Sequence, residues 1–236
     1  MRSSQALVQS VFGTLKTLGK LHILADVVSE ENSRPFDFGG GEPDAELEKS
    51  VTTLGELDGR MTEVDVFLSL NHRVAVECKL AEQHVGTCSR PRLDPADPFH
   101  CDGSYTHQHG RAAKCSLAEA GILYWRFIPH LFRWDAAGDM VECPLRGTYQ
   151  LVRNVLAACV RDSEVDANSG VAVLVYDERN PAFTRGESFH AYQAVRQALL
   201  KPHCLCRVTW QSILAEMRKH QELNWLTGQV RLKYGL

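Results

Sequence analysis

The stretch from Thr62 to Leu80, TEVDVFLSLNHRVAVECKL, constrains this chain more than any other. Val64, Val66, Leu68 and Leu70 alternate with Asp65, Phe67 and Ser69, and Val74, Ala75 and Val76 run up to Glu77. Alternation of period two on either side of Asn71 and His72 predicts two short strands joined by a tight turn. Glu77 and Lys79 are two positions apart on a strand, so both side chains leave the same face. Asp65 on the neighbouring strand reaches that face. Two carboxylates and one ammonium thus converge at the end of an apolar hairpin.

Converging carboxylates repel unless a cation lies between them. A hard divalent ion such as Mg²⁺, or Mn²⁺, suits oxygen ligands and keeps several waters. Such an ion would polarise a phosphoryl oxygen and lower the pKa of a bound water. Lys79 would hold or deprotonate that water and offset charge in the transition state. These are the parts needed to hydrolyse a phosphodiester. The same three residues also suit a surface hairpin with a cross-strand ion pair, worth about 1 kcal/mol or less.

Asp65 followed by Glu77-Cys78-Lys79 resembles the D…(D/E)-x-K signature of the PD-(D/E)xK, restriction-endonuclease-like nucleases. Val64 stands where the motif's name has proline, a departure shared by many members. The resemblance implies Asp65 and Glu77 as metal ligands, the Cys78 backbone carbonyl as a third, and Lys79 as the catalytic lysine. A second segment, Cys143-Pro144-Leu145-Arg146-Gly147-Thr148-Tyr149-Gln150-Leu151-Val152-Arg153-Asn154, looks like the C-P-x4-Y-Q-L-x-R-N segment of a bacterial group within that superfamily, one with cysteines downstream of E-x-K. It implies that Gln150, on the helix after the E-x-K strand, faces the site.

At 236 residues the chain fits a single domain with an insertion. Its 44% hydrophobic content suffices for a core. A formal net charge of −3 excludes a globally basic nucleic-acid binder, while a local basic groove remains compatible with DNA. No run of about 18 apolar residues is present, so no membrane span is expected. MRSSQALVQS has no continuous apolar signal core, and a cytoplasmic location follows. In that compartment eight cysteines serve as metal ligands or reduced core residues rather than disulfides.

Along the chain, Ser3 or Ser4 can cap a first helix through Leu7, Val8, Val11, Phe12, Leu15 and Leu18, ending near Gly19. Leu21 to Val28 continues it after a break. Asp26, Glu30 and Glu31 read as solvated. The Gly- and Pro-rich residues from Asn32 to Asp44 form a loop, and Gly39 to Gly41 lack the Lys-Ser/Thr of a phosphate loop. Glu46 to Leu54 is a first strand, and Gly55 to Gly59 turns into the hairpin. Helices are expected over Leu117 to Ile128, Thr148 to Val160, Phe189 to Leu200 and Gln211 to His220. Strands are expected over Val171 to Tyr176 and Cys204 to Trp210. Helix, three strands, helix, strand is the order of the αβββαβ core of restriction-endonuclease-like folds, an α/β class with a mixed central sheet.

Residues 81–147 are the expected cysteine-rich insertion within a single nuclease domain over 1–236. From Ala81 to Lys114 there is almost no periodicity, and a long irregular stretch inside a compact domain needs an external constraint. Cys88, Cys101, Cys115 and Cys143 punctuate it. Four thiolates hold one Zn²⁺ or one 4Fe–4S cluster, and a structural metal supplies about 10–16 kcal/mol of apparent binding energy. With zinc, His107 or His109 can replace one thiolate. Cys78, Cys159, Cys204 and Cys206 read as buried small hydrophobes. Arg90, Arg92, Arg111, Lys114, Arg126, Arg133, Arg146 and Arg153 surround the cysteines and could clamp phosphates. Tyr105, Tyr124 and Trp125 could stack on bases. The reading is a Mg²⁺-dependent DNA nuclease of restriction, defence or repair, associated with other proteins of such a system. The alternative is a non-catalytic DNA-binding or assembly protein that keeps the fold.

Overall fold

The structure, a computed structural model, describes residues 3–56, 63–103, 115–134 and 142–236. Helical spacing of apolar residues places α1 at Ser4–Val8 and α2 at Thr14–Leu18, joined by a π turn at Gln9–Gly13. Ser3 caps α1 by accepting from the Ala6 amide, and Gly19, at φ 63°, takes the left-handed conformation that ends α2. Leu7, Val8, Val11, Phe12 and Leu15 are buried, whereas Leu18 is exposed.

The sheet comprises β1 at Asp44–Ser50, β2 at Glu63–Ser69, β3 at Arg73–Cys78, and, after a small β4–β5 hairpin at Val160–Arg161 and Glu164–Val165, β6 at Gly170–Tyr176 and β7 at Leu205–Thr209. Its order is β1-β2-β3-β6-β7. The first three strands are antiparallel, and β3, β6 and β7 run parallel. Between them lie α3 at Ser116–Glu119, α4 at Tyr124–Leu131, α5 at Tyr149–Cys159, α6 at Pro181–Thr184 and α7 at Glu187–Ala198, and α8 at Trp210–Met217 and α9 at Asn224–Tyr234 follow. This is a mixed α/β fold. Both sheet faces are covered, as parallel strands require. Phe67, Ala75, Ala172 and Leu174 pack with α4, α5 and α7. Val66, Leu68, Val74, Val76, Val173 and Val175 pack with α1, α2, α8 and α9.

Four elements differ from expectation. The single helix expected over Leu117 to Ile128 is two, parted at Gly121, whose φ of 91° breaks helical continuity. The first strand stops at Ser50, and Thr52–Leu54 is a 3-10 turn. Helix α5 carries one apolar stripe, Leu151, Val152, Val155, Leu156 and Cys159, yet every residue of it except Gln150 is buried. Glu31 is half-buried rather than solvated, and Glu30, exposed as expected, is nonetheless tied down through its main chain. The Glu30 amide donates to Arg207 O at 3.0 Å, and the Arg207 amide donates to Glu31 Oε2 at 2.9 Å. These bonds close the open edge of β7, which would otherwise be a template for another strand. Among the described residues no helix is long and apolar enough to cross a membrane.

Gly170, at the start of β6, lies against the end of α5. A Cβ there would meet Ala158 O at 2.3 Å, main chain that has no rotamer to move. Gly170→Ala is expected to lower unfolding free energy by about 1–3 kcal/mol, the usual scale for overpacking. Urea denaturation checks this, and an unchanged midpoint would contradict the packing described.

Candidate active site

The site forms where β2 loses its regularity. The β1–β2 register pairs Leu47 with Val66 and Lys49 with Val64, but skips Glu48, whose φ is 53°. A non-glycine residue in the left-handed region costs about 1–2 kcal/mol. The alternation slips here too. Val64 packs on the α5 side of the sheet, and Val66 on the opposite side. Asp65 lies at this slip, and its Oδ2 accepts a 2.7 Å hydrogen bond from the Cys78 amide on β3. The aspartate is therefore anchored to the strand that carries the other two groups.

Glu77 and Lys79 leave β3 on the α5 face. The Lys79 ammonium lies 2.6 Å from Glu77 Oε1 and donates to Gln150 Oε1 at 3.0 Å. Asn154, one turn beyond Gln150 on α5, donates through Nδ2 to Glu77 Oε2 at 2.8 Å. The main chain at Lys79 is held from two directions. Its amide donates to Val175 O at 2.8 Å, and its carbonyl accepts from Trp210 Nε1 at 3.2 Å. Glu77 and Lys79 are 3% and 8% exposed, so their charges interact with little solvent screening.

Burial and the adjacent Glu77 charge push the Asp65 carboxyl up to about 7, against the Cys78 amide and Lys79, which pull it down. Burial alone would lower Lys79, but the charge and hydrogen bond of Glu77, with the charge of Asp65, hold it above its ordinary value. Gripped by Glu77, the ammonium holds its proton more firmly than an ordinary lysine does. Glu82, unforeseen from the sequence, adds a third carboxylate nearby. Burial raises it, yet hydrogen bonds from Ser4 Oγ and the Leu80 amide, with the charge of Lys79, hold it below its ordinary value.

Gln150 is seated by a glycine. Gly86 has φ 100°, and a Cβ there would lie 1.9 Å from Gln150 Oε1. Only a residue without a side chain lets Gln150 lie between Gly86 and Lys79. Gly86 also lines a cleft of about 400 Å³ with Arg90, Arg92, Tyr149 and Gln150, which opens the site to solvent.

Cys88, Cys101, Cys115 and Cys143 line one small cavity of about 10 Å³. Three backbone and side-chain bonds bring their segments together: Cys88 N to Arg146 O at 3.0 Å, Cys143 N to Gly103 O at 2.9 Å, and Gly103 N to Cys101 Sγ at 3.3 Å. Burial pushes the Cys88 thiol up to about 11 and Cys143 to about 12, and raises Cys115 as well; neighbouring thiols add to each shift. Among the described residues no group of three or more His, Cys, Asp or Glu is gathered closely enough to hold a metal ion as it stands. His107, His109, Tyr105, Arg111 and Lys114 lie outside the described residues. Cys78, Cys159, Cys204 and Cys206 are buried and free of disulfides.

Two proposed nucleic-acid contacts are corrected. Arg153 is 0% exposed and forms a fork with Glu56, so no phosphate reaches it. Tyr124 is 1% exposed and donates to Glu56, so it cannot stack on a base. Arg126 and Arg133 line separate clefts, and Arg90, Arg92 and Arg146 stay beside the cysteines. Sequence reasoning missed Glu56, read as part of a turn, and gave Asn154 no role of its own. Their only signal was the R-N pair after Gln150.

Asp65 binds its proton more tightly folded than unfolded. That contribution to stability is complete below the ordinary carboxylate range and is lost as pH rises through about 7. In EDTA the protein is therefore expected to unfold at a lower temperature at pH 8 than at pH 5, with a narrower gap in Asp65→Asn; an equal gap would contradict the assigned repulsion. Gly86→Ala is expected to break the Lys79–Gln150 bond with global stability lowered by about 1 kcal/mol. Loss of the Gln150 side-chain amide shift in NMR spectra checks this, and an unmoved resonance would contradict it.

Residues 1–235 match the family described as Restriction Endonuclease associating with ARP. No curated protein and no solved structure matches the chain.

Proposed function

For a chain that belongs to the family described as Restriction Endonuclease associating with ARP, we propose metal-dependent hydrolysis of DNA phosphodiesters by Asp65, Glu77 and Lys79. The observation that carries this reading is the meeting of those three groups with Gln150 at the end of one hairpin. One buried and one half-buried carboxylate beside a single ammonium form a donor set suited to a hard divalent cation. Asp65 and Glu77, with the Cys78 carbonyl, would hold Mg²⁺ or Mn²⁺. The ion, when bound, supplies Lewis acidity toward a phosphoryl oxygen and toward water.

The chain's own residues have separable tasks in this reading. Asp65 is fixed by the Cys78 amide and needs no reorganisation to accept a cation. Glu77 must give up part of its contact with Lys79. Lys79, released from Glu77 Oε1 yet still tethered to Gln150, turns its positive charge toward the phosphate. Gln150 limits where the ammonium can go. The five-stranded sheet with α5 across β3 and β6 agrees with a restriction-endonuclease-like core, in which residues 81–147 are an insertion.

The insertion is proposed to hold a structural cofactor through Cys88, Cys101, Cys115 and Cys143. Three buried thiols and the half-buried Cys88 around one cavity support this, because a cation would remove the cost of ionising them there. The cofactor in this reading is Zn²⁺ or a 4Fe–4S cluster. Loading would draw the sulfurs together and tie Cys88, next to the segment that seats Gln150, to the Cys143 turn before α5. The family's description also makes a protein partner, ARP, part of the proposal.

Purified protein is expected to cleave DNA in Mg²⁺ or Mn²⁺ and not in EDTA, with linear, circular and single-stranded substrates assayed side by side. Lys79→Ala should lose about 10² or more in rate with the fold retained; full turnover in that variant would remove the mechanism. Elemental analysis should find zinc or iron near one equivalent per site, and neither metal would retire the cysteine site.

A further inference from the structure

We propose that Asn154 is a positioning residue for Glu77, and that Glu56 and Arg153 fix which end of its amide meets the carboxylate. The inference rests on the metal-dependent reading of Asp65 and Glu77 and adds residues outside the D…E-x-K motif. It starts from a run of polar side chains sealed inside the protein. Arg153 is 0%, Glu56 1%, Asn154 1% and Glu77 3% exposed.

Arg153 donates through Nε to Glu56 Oε1 at 3.0 Å and through Nη2 to Glu56 Oε2 at 2.9 Å. Tyr124 donates to the same Glu56 Oε1, and its hydroxyl lies 3.1 Å from that of Tyr149. The planar fork leaves Nη1 aimed at Asn154, where it donates to Oδ1 at 3.2 Å. That bond settles the amide. Its oxygen is taken by a cation, so its NH₂ must face the other way, toward Glu77 Oε2 at 2.8 Å. A flipped amide would set one oxygen against a carboxylate and one NH₂ against a guanidinium.

Stability alone does not call for this arrangement. Apolar residues of similar volume usually serve a core as well as a buried ion pair does. What the chain of bonds achieves is a fixed carboxylate. With Oε2 held by Asn154, Glu77 presents Oε1 outward, toward the place that Lys79 now fills. A ligand oriented in this way binds metal more tightly than one free to rotate, and removing such outer partners typically costs 10–100-fold in affinity. The run also reaches α4, through Tyr124, and so joins the cysteine-bounded segment to the metal site without contact with the substrate.

Mn²⁺ binding to the full chain, followed by calorimetry at pH 8, tests this. Asn154→Ala is expected to weaken Mn²⁺ about 10–100-fold, and Glu56→Gln, which keeps shape but loosens the fork, several-fold, while Arg126→Ala leaves it unchanged. Thermal unfolding in EDTA measures the structural cost of each change separately. A folded Asn154→Ala protein with undiminished affinity overturns the proposal. If Asn154→Ala does not fold, Glu56→Gln decides: weaker binding supports the proposal, and equal binding overturns it. If the unsubstituted protein takes up no Mn²⁺, the metal-dependent reading itself fails, and the positioning role falls with it.

Discussion

One buried ammonium between two carboxylates organises this molecule. Out of water, unlike charges in contact attract by several kcal/mol, and like charges repel on the same scale. Glu77 and Asp65 could not share the end of a hairpin without Lys79, and Lys79 could not be 8% exposed without them. Burial first, and then the Glu77 charge that Lys79 does not fully offset, keep the Asp65 carboxyl raised. A divalent cation would offset that charge.

The surrounding fold keeps that cluster in place. Helix α5 is buried on all sides, which is unusual for a helix bearing Gln150, Arg153 and Asn154. Its polar residues are tolerated because each meets a partner: Gln150 meets Lys79, Asn154 meets Glu77, and Arg153 meets Glu56. The segments that seat this helix come from the cysteine-bounded region. Gly86 lies against Gln150, and the Cys143 turn leads directly into α5. A cofactor at the four thiols would therefore stiffen the second wall of the site as well as its own loops.

The hairpin, the α5 helix and strands β6 and β7 were legible because each is a short periodic run with clear ends. So was the meeting of Glu77 and Lys79 with Asp65, from strand spacing, whereas Gln150 was reached only through the resemblance of the Y-Q-L-x-R-N segment. Glu56 was not. It sits in a stretch whose glycines signal only a turn, and its partner Arg153 is 97 residues away. The split between α3 and α4 was hidden by a continuous apolar composition, in which the left-handed Gly121 carries the break. Glu31 read as solvated because edge protection is a tertiary event. The change of face between Val64 and Val66 escaped notice for a similar reason: apolar residues do not tell one face from the other once both are covered.

The central claim is that Lys79 and a divalent cation compete for the same carboxylates, and the amine itself reports it most directly. In protein labelled with ¹³C at the lysine ε carbons, Lys79 should titrate above the other lysines in EDTA, as its raised pKa requires. Mg²⁺ is expected to shift the Lys79 signal saturably and lower its pKa, with no such change in Asp65→Asn. A Lys79 signal indifferent to Mg²⁺ would contradict the account.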